Sequence, residues 1–283
     1  MSIFVCPVCG VPLRKCEKEY ICTNGHNYDI AKEGYIYLLP PNRKHSRMPG
    51  DDKYMVASRR RFLESGSYSI FSDALNRLIL KYLPKKRSVI LDAGCGEGYY
   101  TGRIAAAVKP ERPETEIYGF DISKPAVKAA AKKYKSISFA VGSMFGIPVR
   151  SASADIVSDI FAPIVPNELQ RVTKPGGVII LAVPGVRHLL GLKEILYDHP
   201  YENEYRETEY DGFTFLERVP VRGRIHTENQ KTMQDLFAMT PYWWKTPKEG
   251  CERLKQTKVL DTEIEFDFLV YRHKTAPPES GGS

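Results

Sequence analysis

The segment Leu91 to Tyr100, LDAGCGEGYY, holds residues whose types and spacing suit a nucleoside cofactor. A short apolar run, SVIL, leads into Asp92 and then into three alternating glycines, Gly94, Gly96 and Gly98. A dinucleotide turn needs G-x-G-x-x-G, which brings a helix amino terminus against a pyrophosphate. Alternating glycines suit S-adenosylmethionine instead. That cofactor has no phosphate; it needs bare backbone beside its methionine part and carboxylates for its amino and ribose hydroxyl groups. Asp92 and Glu97 flank the turn, and Asp121 ends the next apolar run in EIYGFDIS. A carboxylate there can accept both ribose hydroxyls, the logic that places an acidic residue roughly 20 positions on in dinucleotide folds.

A second constellation lies at the front. Cys6 and Cys9 form C-P-V-C, and Cys22 with His26 forms C-T-N-G-H. The spacing C-x2-C-x12-C-x3-H fits a closed tetrahedral zinc site with two ligands on each of two knuckles. A fragment this small has too little core to fold unaided, and metal binding contributes about 10–16 kcal/mol in comparable peptides. A redox C-x-x-C pair would open a helix in a thioredoxin-like fold, which this segment does not resemble. Cys16, Cys95 and Cys251 lack such spacing and read as ordinary thiols, and six cysteines in a reducing compartment argue against a disulfide framework.

The elements that must position these groups follow from hydrophobic periodicity. Between Ser69 and Leu83 the apolar residues recur at helical spacing, so a helix precedes the first strand. A regular alternation comes next: strand SVILDAG, helix YTGRIAAAVK, strand EIYGFDI, helix KPAVKAAAKKY, strand ISFAVGS, strand ADIVSDIFAP, helix PNELQRVTK, strand GGVIILAVP and helix HLLGLKEILY. FTFLERVPVRGRIH and TEIEFDFLVYRH add two strands around the helix TMQDLFAM. The expected fold is α/β: a Rossmann-like class I methyltransferase sheet of seven strands, the last two an antiparallel pair, with a small N-terminal zinc ribbon. The chain divides into a ribbon at 1–40, a basic linker at 41–68, the cofactor domain at 69–274 and a disordered tail at 275–283.

A chain of 283 residues has room for one large domain or a large and a small one. Its 42% hydrophobic and 27% charged residues are ordinary for a soluble globular protein. No apolar run approaches the roughly 18 residues of a membrane span, and MSIFVCPVCG lacks a signal peptide's long apolar region, so a cytoplasmic location is expected. The net charge of +7 is uneven: residues 1 to 61 contain 11 Lys/Arg against 6 Asp/Glu. Such clustering points to a polyanionic partner, against the plainer reading of a solvated surface.

Knuckles, basic linker and glycine turn in one chain resemble the bacterial large-subunit rRNA (guanine-N1)-methyltransferases, the RlmA group. The resemblance runs through CPVCGVPL, YICTNGHNYDIAKEGYIYLLP, RRFLESGSY, LDAGCGEGYYT, DISKPAVKAAAKKY, KPGG, PGVRHLLGLKEILY and AMTPYWW, nearly everything except the tail. It implies a homodimer that methylates N1 of a guanine in hairpin 35 of 23S rRNA, at nucleotide 748 or nearby 745. It also implies that Tyr68 in ESGSY, Gly96, Glu97 and His188 in PGVRHL bind the cofactor. On the residues alone, Tyr68 reads equally as a packing aromatic and His188 as a hydrogen-bonded residue at a helix start.

The acceptor pocket is expected beyond the fourth strand, around Ser158, Asp159, Ile160, Phe161, Ala162 and Pro163. Methyltransferases of exocyclic amines often show N/D-P-P-Y there; D-I-F-A-P argues against that chemistry. Asp159 is the nearest carboxylate, either a general base or a salt-bridged residue, so no catalytic residue is assigned. Phe161, Tyr242, Trp243 and Trp244 could stack on an unpaired base or pack in the core. The ribbon with Arg43, Lys44, Arg47, Arg59, Arg60 and Arg61 is the candidate RNA surface; Arg59 to Arg61 could instead fix the linker helix to the domain. Two other readings compete: a methyltransferase of a small molecule or protein, and a non-catalytic RNA-binding protein with a vestigial cofactor fold.

Overall fold

The computed structural model describes residues 2–40, 50–85, 87–204 and 208–275. Arg43, Lys44, Arg47, Pro49 and the tail beyond Thr275 lie outside the described residues. At the front, strands β1 (Arg14–Lys15), β2 (Glu19–Ile21) and β3 (Asn27–Asp29) form a small antiparallel sheet. Both knuckles turn on a glycine with positive φ, Gly10 at 71° and Gly25 at 80°, where a side chain would be strained. This sheet is too small to enclose a core. Its Phe4, Leu13 and Tyr20 instead share one buried cluster with Tyr118 and Phe120, and the Phe4 ring stands perpendicular to Tyr118 at 5.3 Å.

Strand β4 (Tyr35–Tyr37) leaves the ribbon and lies parallel to residues 139–141. Helix α1 (Lys53–Glu64) starts at Asp52, whose carboxylate accepts the Met55 N–H at 2.9 Å as an N-cap. Helix α2 (Ser69–Tyr82) buries Phe71, Leu75, Leu78 and Ile79 on one face. The alternation then runs β5 (Val89–Ala93), α3 (Tyr99–Val108), β6 (Glu116–Asp121), α4 (Lys124–Lys133), β7 (Ser138–Val141), β8 (Ala154–Ile160), α5 (Pro166–Val172), β9 (Thr173–Pro184) and α6 (Leu190–Leu196). It closes with β10 (Phe213–Thr227), α7 (Gln230–Ala238), α8 (Tyr242–Lys245), α9 (Lys248–Gln256) and β11 (Leu260–His273).

The large sheet has the order β4-β7-β6-β5-β8-β9-β11-β10. Strands β4 to β9 are parallel, and β11 is antiparallel to both β9 and β10. All seven expected strands are present, and β4 adds an eighth at the edge although it falls within the front forty residues. Strand β5 has β6 on one side and β8 on the other, so the order of connection reverses there. The carboxyl end of such a strand opens a crevice where α/β sheets take their ligands. The β8–β9 register shifts around Pro175, Gly176 and Gly177: Ala154 faces Thr173 but Ile156 faces Val178. No helix among the described residues is long and apolar enough to cross a membrane.

Because Phe4 is shared by ribbon and sheet, the two should unfold together. Phe4→Ala is expected to cost about 3–5 kcal/mol, as for other buried aromatics. Urea unfolding followed by fluorescence checks this: the chain's two tryptophans, Trp243 and Trp244, lie in α8, far along the chain, yet should report a lowered single transition.

Candidate active site and metal centre

The turn after β5 has Gly94, Gly96 and Gly98 at φ 76°, 54° and 80°, all in the left-handed region. Space as well as torsion requires two of them. A Cβ on Gly94 would lie 2.4 Å from the Ala162 Cβ, and one on Gly98 would lie 2.9 Å from the Ala130 Cβ. Gly96 differs: a Cβ there would meet nothing closer than the Arg59 guanidinium at 3.7 Å. Its bare face is the open one, as a ligand lying along the backbone requires.

Around that face stand carboxylates. Asp121 ends β6, where one oxygen accepts the Gly96 N–H at 3.0 Å and the other the Ser123 N–H at 2.7 Å. Burial raises its pKa, against the pull of these two N–H groups and of Arg59. Burial pushes Glu97 up to about 7, with Arg59 opposing. Its Oε2 is buried without a hydrogen bond, and Arg59 Nη1 approaches it only to 4.0 Å. A buried, underused carboxylate oxygen beside a bare backbone fits the ammonium and sulfonium charges of S-adenosylmethionine. Asp92 does other work. It accepts the hydroxyls of Thr101 and Ser158, tying β5 to α3 and β8, and burial raises its pKa to about 6.

Tyr68 and His188 come from distant segments and meet on one ring. Phe266 of β11 lies 5.1 Å from Tyr68 and 4.3 Å from His188. His188 accepts the Glu265 N–H through Nδ1 at 3.3 Å, and burial lowers its pKa to about 3, so the imidazole is neutral. Phe161 packs on the same Phe266 at 5.1 Å and stacks on Phe71 at 5.6 Å. Tyr100 packs on Phe71 from the acidic side, so the carboxylate and aromatic groups are adjoining walls. Sequence patterns gave no sign of Tyr100 or Phe266, since both look like ordinary core aromatics.

The loop after β8 presents Phe161 at φ 62° and 47% exposed. A bulky residue in the left-handed region is strained, and such strain persists where the surroundings hold it for a purpose. Asp159 points elsewhere. It shares the face of Val157, opposite Phe161 and its partners, and one oxygen caps the loop by accepting the Ala162 N–H at 3.1 Å. Burial pushes its pKa up to about 7. Trp243 packs against Phe237 and Tyr54, Tyr242 against Tyr197, and Trp244 is 68% exposed.

The arginine run divides three ways. Arg59 pairs with Asp51 and Glu97; Arg60 pairs with Glu64 at 3.0 Å; Arg61 grips Asp235 with two bonds of 2.8 and 2.7 Å. Arg61 with Asp235, and Arg59 with Glu97, fasten α1 to the domain, whereas the Arg60–Glu64 pair lies within the helix.

At the front, the ligand atoms of Cys6, Cys9, Cys22 and His26 all lie within 4.8 Å of one another. Cys9 and Cys22 sulfurs are 3.8 Å apart, and Cys22 Sγ is 3.4 Å from His26 Nδ1. Four ligands at about 2.3 Å for sulfur and 2.0 Å for nitrogen around a tetrahedral zinc ion would be separated by about these distances. The Tyr28 hydroxyl, 3.1 Å from Cys6 Sγ, adds an outer contact.

A family model for the RlmA N-terminal zinc ribbon matches residues 4–47, and a methyltransferase-domain model matches residues 84–240. The chain is thus a methyltransferase with a zinc ribbon at its front; the domain takes S-adenosylmethionine and the ribbon takes structural zinc. The 23S rRNA (guanine(748)-N(1))-methyltransferase of Streptomyces fradiae is 32% identical over 276 residues, 94% of this chain and 95% of that one. The Bacillus subtilis (strain 168) protein YxjB, provisionally named a 23S rRNA (guanine-N(1)-)-methyltransferase, is 31% identical over 278 residues, covering 95% and 96%. This chain belongs to that family, the RlmA-type 23S rRNA (guanine-N1)-methyltransferases. A demethylmenaquinone methyltransferase of Geobacillus stearothermophilus is 29% identical, but over 47% of this chain and 63% of its own.

Two pH effects follow from the raised carboxylates. Below about pH 7 Glu97 keeps its proton, and a cationic ligand favours the ionised form. S-adenosylmethionine binding should therefore release protons and tighten as pH rises from about 6 to 8; calorimetry in buffers of different ionisation enthalpy measures this, and Glu97→Gln should flatten it. For Asp159 the native pKa of about 7 exceeds the unfolded value of about 4. Its folded form holds a proton that the unfolded chain has lost, so stability falls as pH rises through that window. Asp159→Asn should lessen this fall in thermal melts, Glu97 and Asp92 supplying the rest, and leave methyl transfer within about threefold of wild type, whereas loss of a general base would cost roughly 100-fold or more.

Proposed function

We propose that this protein methylates N1 of a guanine in hairpin 35 of 23S rRNA, at nucleotide 748 or its neighbour 745. The observation that carries this is the match to the named rRNA methyltransferases over 94–95% of the chain, ribbon included. Likeness to the demethylmenaquinone enzyme stops at half the chain, which weighs against a small-molecule substrate.

The cofactor is held by Tyr68, Gly94, Gly96, Glu97, Asp121 and His188, and zinc by Cys6, Cys9, Cys22 and His26. When bound, S-adenosylmethionine would supply an electrophilic methyl: the N1–H proton would leave to a base, or to water acting through one, as the N–C bond forms, and the C–S bond electrons would stay on a neutral thioether. The protein's contribution is alignment of the nitrogen with that methyl, an effect that can reach about 7–11 kcal/mol. Gly94 lets the Phe161 loop approach the turn to van der Waals contact, which sets the distance between acceptor and cofactor walls. N1 lies on the Watson–Crick edge, so the base must be unpaired or extruded, at a cost of a few kcal/mol. Phe161, half exposed and backed by Phe71 and Phe266, is a rigid face for that base. Neutral His188 adds no charge to the cofactor site. The ribbon and the basic segment with Arg43, Lys44 and Arg47 form the RNA-facing surface of a cytoplasmic homodimer, while Arg59, Arg60 and Arg61 are occupied within the fold.

The test uses large-subunit rRNA from a strain lacking the protein, incubated with purified protein and S-adenosylmethionine. Reverse transcription across hairpin 35 should stop at one guanine, because an N1 methyl blocks pairing, and the stop should weaken steeply with salt. Methyl label in RNA without that stop would refute the atom or the hairpin; label absent from RNA would favour a small-molecule or protein substrate.

A further inference from the structure

Helix α1 lies in neither matched region, being between the ribbon at 4–47 and the domain at 84–240, yet it delivers a charge into the cofactor site. Arg59 reaches the open face of Gly96, 3.7 Å from where a side chain would begin. Its guanidinium pairs with Asp51, stands 4.0 Å from Glu97 and donates to the Met239 carbonyl at 3.5 Å. Asp121 adds to the negative field around it. The helix is fixed in place from several sides. Arg61 grips Asp235 on α7, Lys133 of α4 holds Glu64 at 2.6 Å, and the Ser123 hydroxyl donates to the Asp51 carbonyl at 2.6 Å. The residue before Asp51 is also fitted: a Cβ on Gly50 would lie 2.9 Å from Ile122.

The geometry points to Arg59 as the group that binds the α-carboxylate of the cofactor's methionine part. S-adenosylmethionine carries an ammonium, a sulfonium and one carboxylate. Glu97, Asp51 and Asp121 can serve the positive groups and the ribose hydroxyls, but none of them can accept an anion. Arg59 is the cation at the bare backbone where the methionine part lies, and a guanidinium matches a carboxylate in a two-bond fork. Cofactor binding is then an exchange of partners. The carboxylate takes the guanidinium, and the freed protein carboxylates take the ammonium and sulfonium charges. A residue of the linker helix thereby becomes part of the cofactor site, so recognition of the cofactor depends on α1 being docked.

This rests on S-adenosylmethionine being the cofactor, and the experiment separates the two. Calorimetry of the full-length zinc-loaded protein compares S-adenosylmethionine with decarboxylated S-adenosylmethionine, which lacks only the carboxylate. Wild type should prefer the complete cofactor by roughly 10- to 100-fold, the range of a charge-assisted hydrogen bond. Arg59→Gln, checked for unchanged zinc content and melting temperature, should lose the preference or reverse it, since the analogue carries one more net positive charge into an acidic pocket. Arg59→Lys should keep part of it. A wild type that binds both ligands equally would overturn the inference without any variant. Equal weakening of both by Arg59→Gln would reduce Arg59 to a fastener of the helix, and equal tightening would make it a plug. Binding of neither ligand by wild type would remove the cofactor site and this inference with it.

Discussion

A backbone turn that no L side chain could occupy sets the arrangement of everything near the end of β5. Three residues in the left-handed region reverse the chain within five positions, and two of them touch neighbours so closely that a methyl group would collide. Ala162 of the loop after β8 comes in from one side and Ala130 of α4 from the other. The turn is also sewn to the next strand: Gly94 and Cys95 donate to the Phe120 carbonyl and Gly96 to Asp121. The glycine turn, the loop after β8 and the acidic residue of β6 thus share one rigid reference, which a transfer reaction governed by distance and angle requires.

The same closeness excludes water, and that decides the electrostatics. Asp92, Glu97 and Asp121 converge within one strand–turn–strand unit, and burial raises the pKa of each. Asp92 is stabilised by two hydroxyls and acts as a fastener. Glu97 has a buried oxygen without a hydrogen bond, which costs stability unless something positive arrives. The site is therefore held short of full charge compensation by its own packing. At the other end the ribbon meets a different need. Its few strands enclose no core, so the metal supplies local order while Phe4, Leu13 and Tyr20 borrow the face of the large sheet.

Much of this was legible in the chain because it is local. The glycine alternation, the C-x2-C and C-x3-H spacings, the helical period of α2 and the alternation from β5 to β9 each lie within a short window. What was not legible depends on partners far away in sequence. Tyr35–Tyr37 reads as one more short ribbon strand, and only contact with residues about a hundred positions on makes it an edge of the large sheet. Arg59 to Arg61 read either as part of a basic surface or as fasteners of the linker helix, and Asp235, which fixes Arg61 and decides between the two, is 174 residues away. Asp159 is the nearest carboxylate by position, but it lies on the Val157 side of β8, and the left-handed backbone at Phe161 breaks the alternation and turns that ring to the side of Phe71 and Phe266. The Phe266 ring, on which Tyr68, His188 and Phe161 converge, belongs to the last strand and looks in sequence like any alternating core residue.

The charge distribution joins these parts. The chain is basic overall, at +7, but its deepest site is acidic. On the proposed reaction the two reactants carry opposite charge, a polyanionic RNA and a cationic cofactor, so one surface potential cannot serve both. Separation alone gives partial relief, because fields at an aqueous surface decay over about 8 Å at physiological salt. Burial does more: Glu97, pushed up to about 7, holds part of its charge in reserve, so it repels an approaching RNA less than an ionised surface acid would. A cationic cofactor draws that charge out, and transfer of the methyl removes the sulfonium charge again. The product would keep its ammonium and carboxylate but lack the sulfonium charge, so an acidic pocket would hold it less strongly than a fresh cofactor.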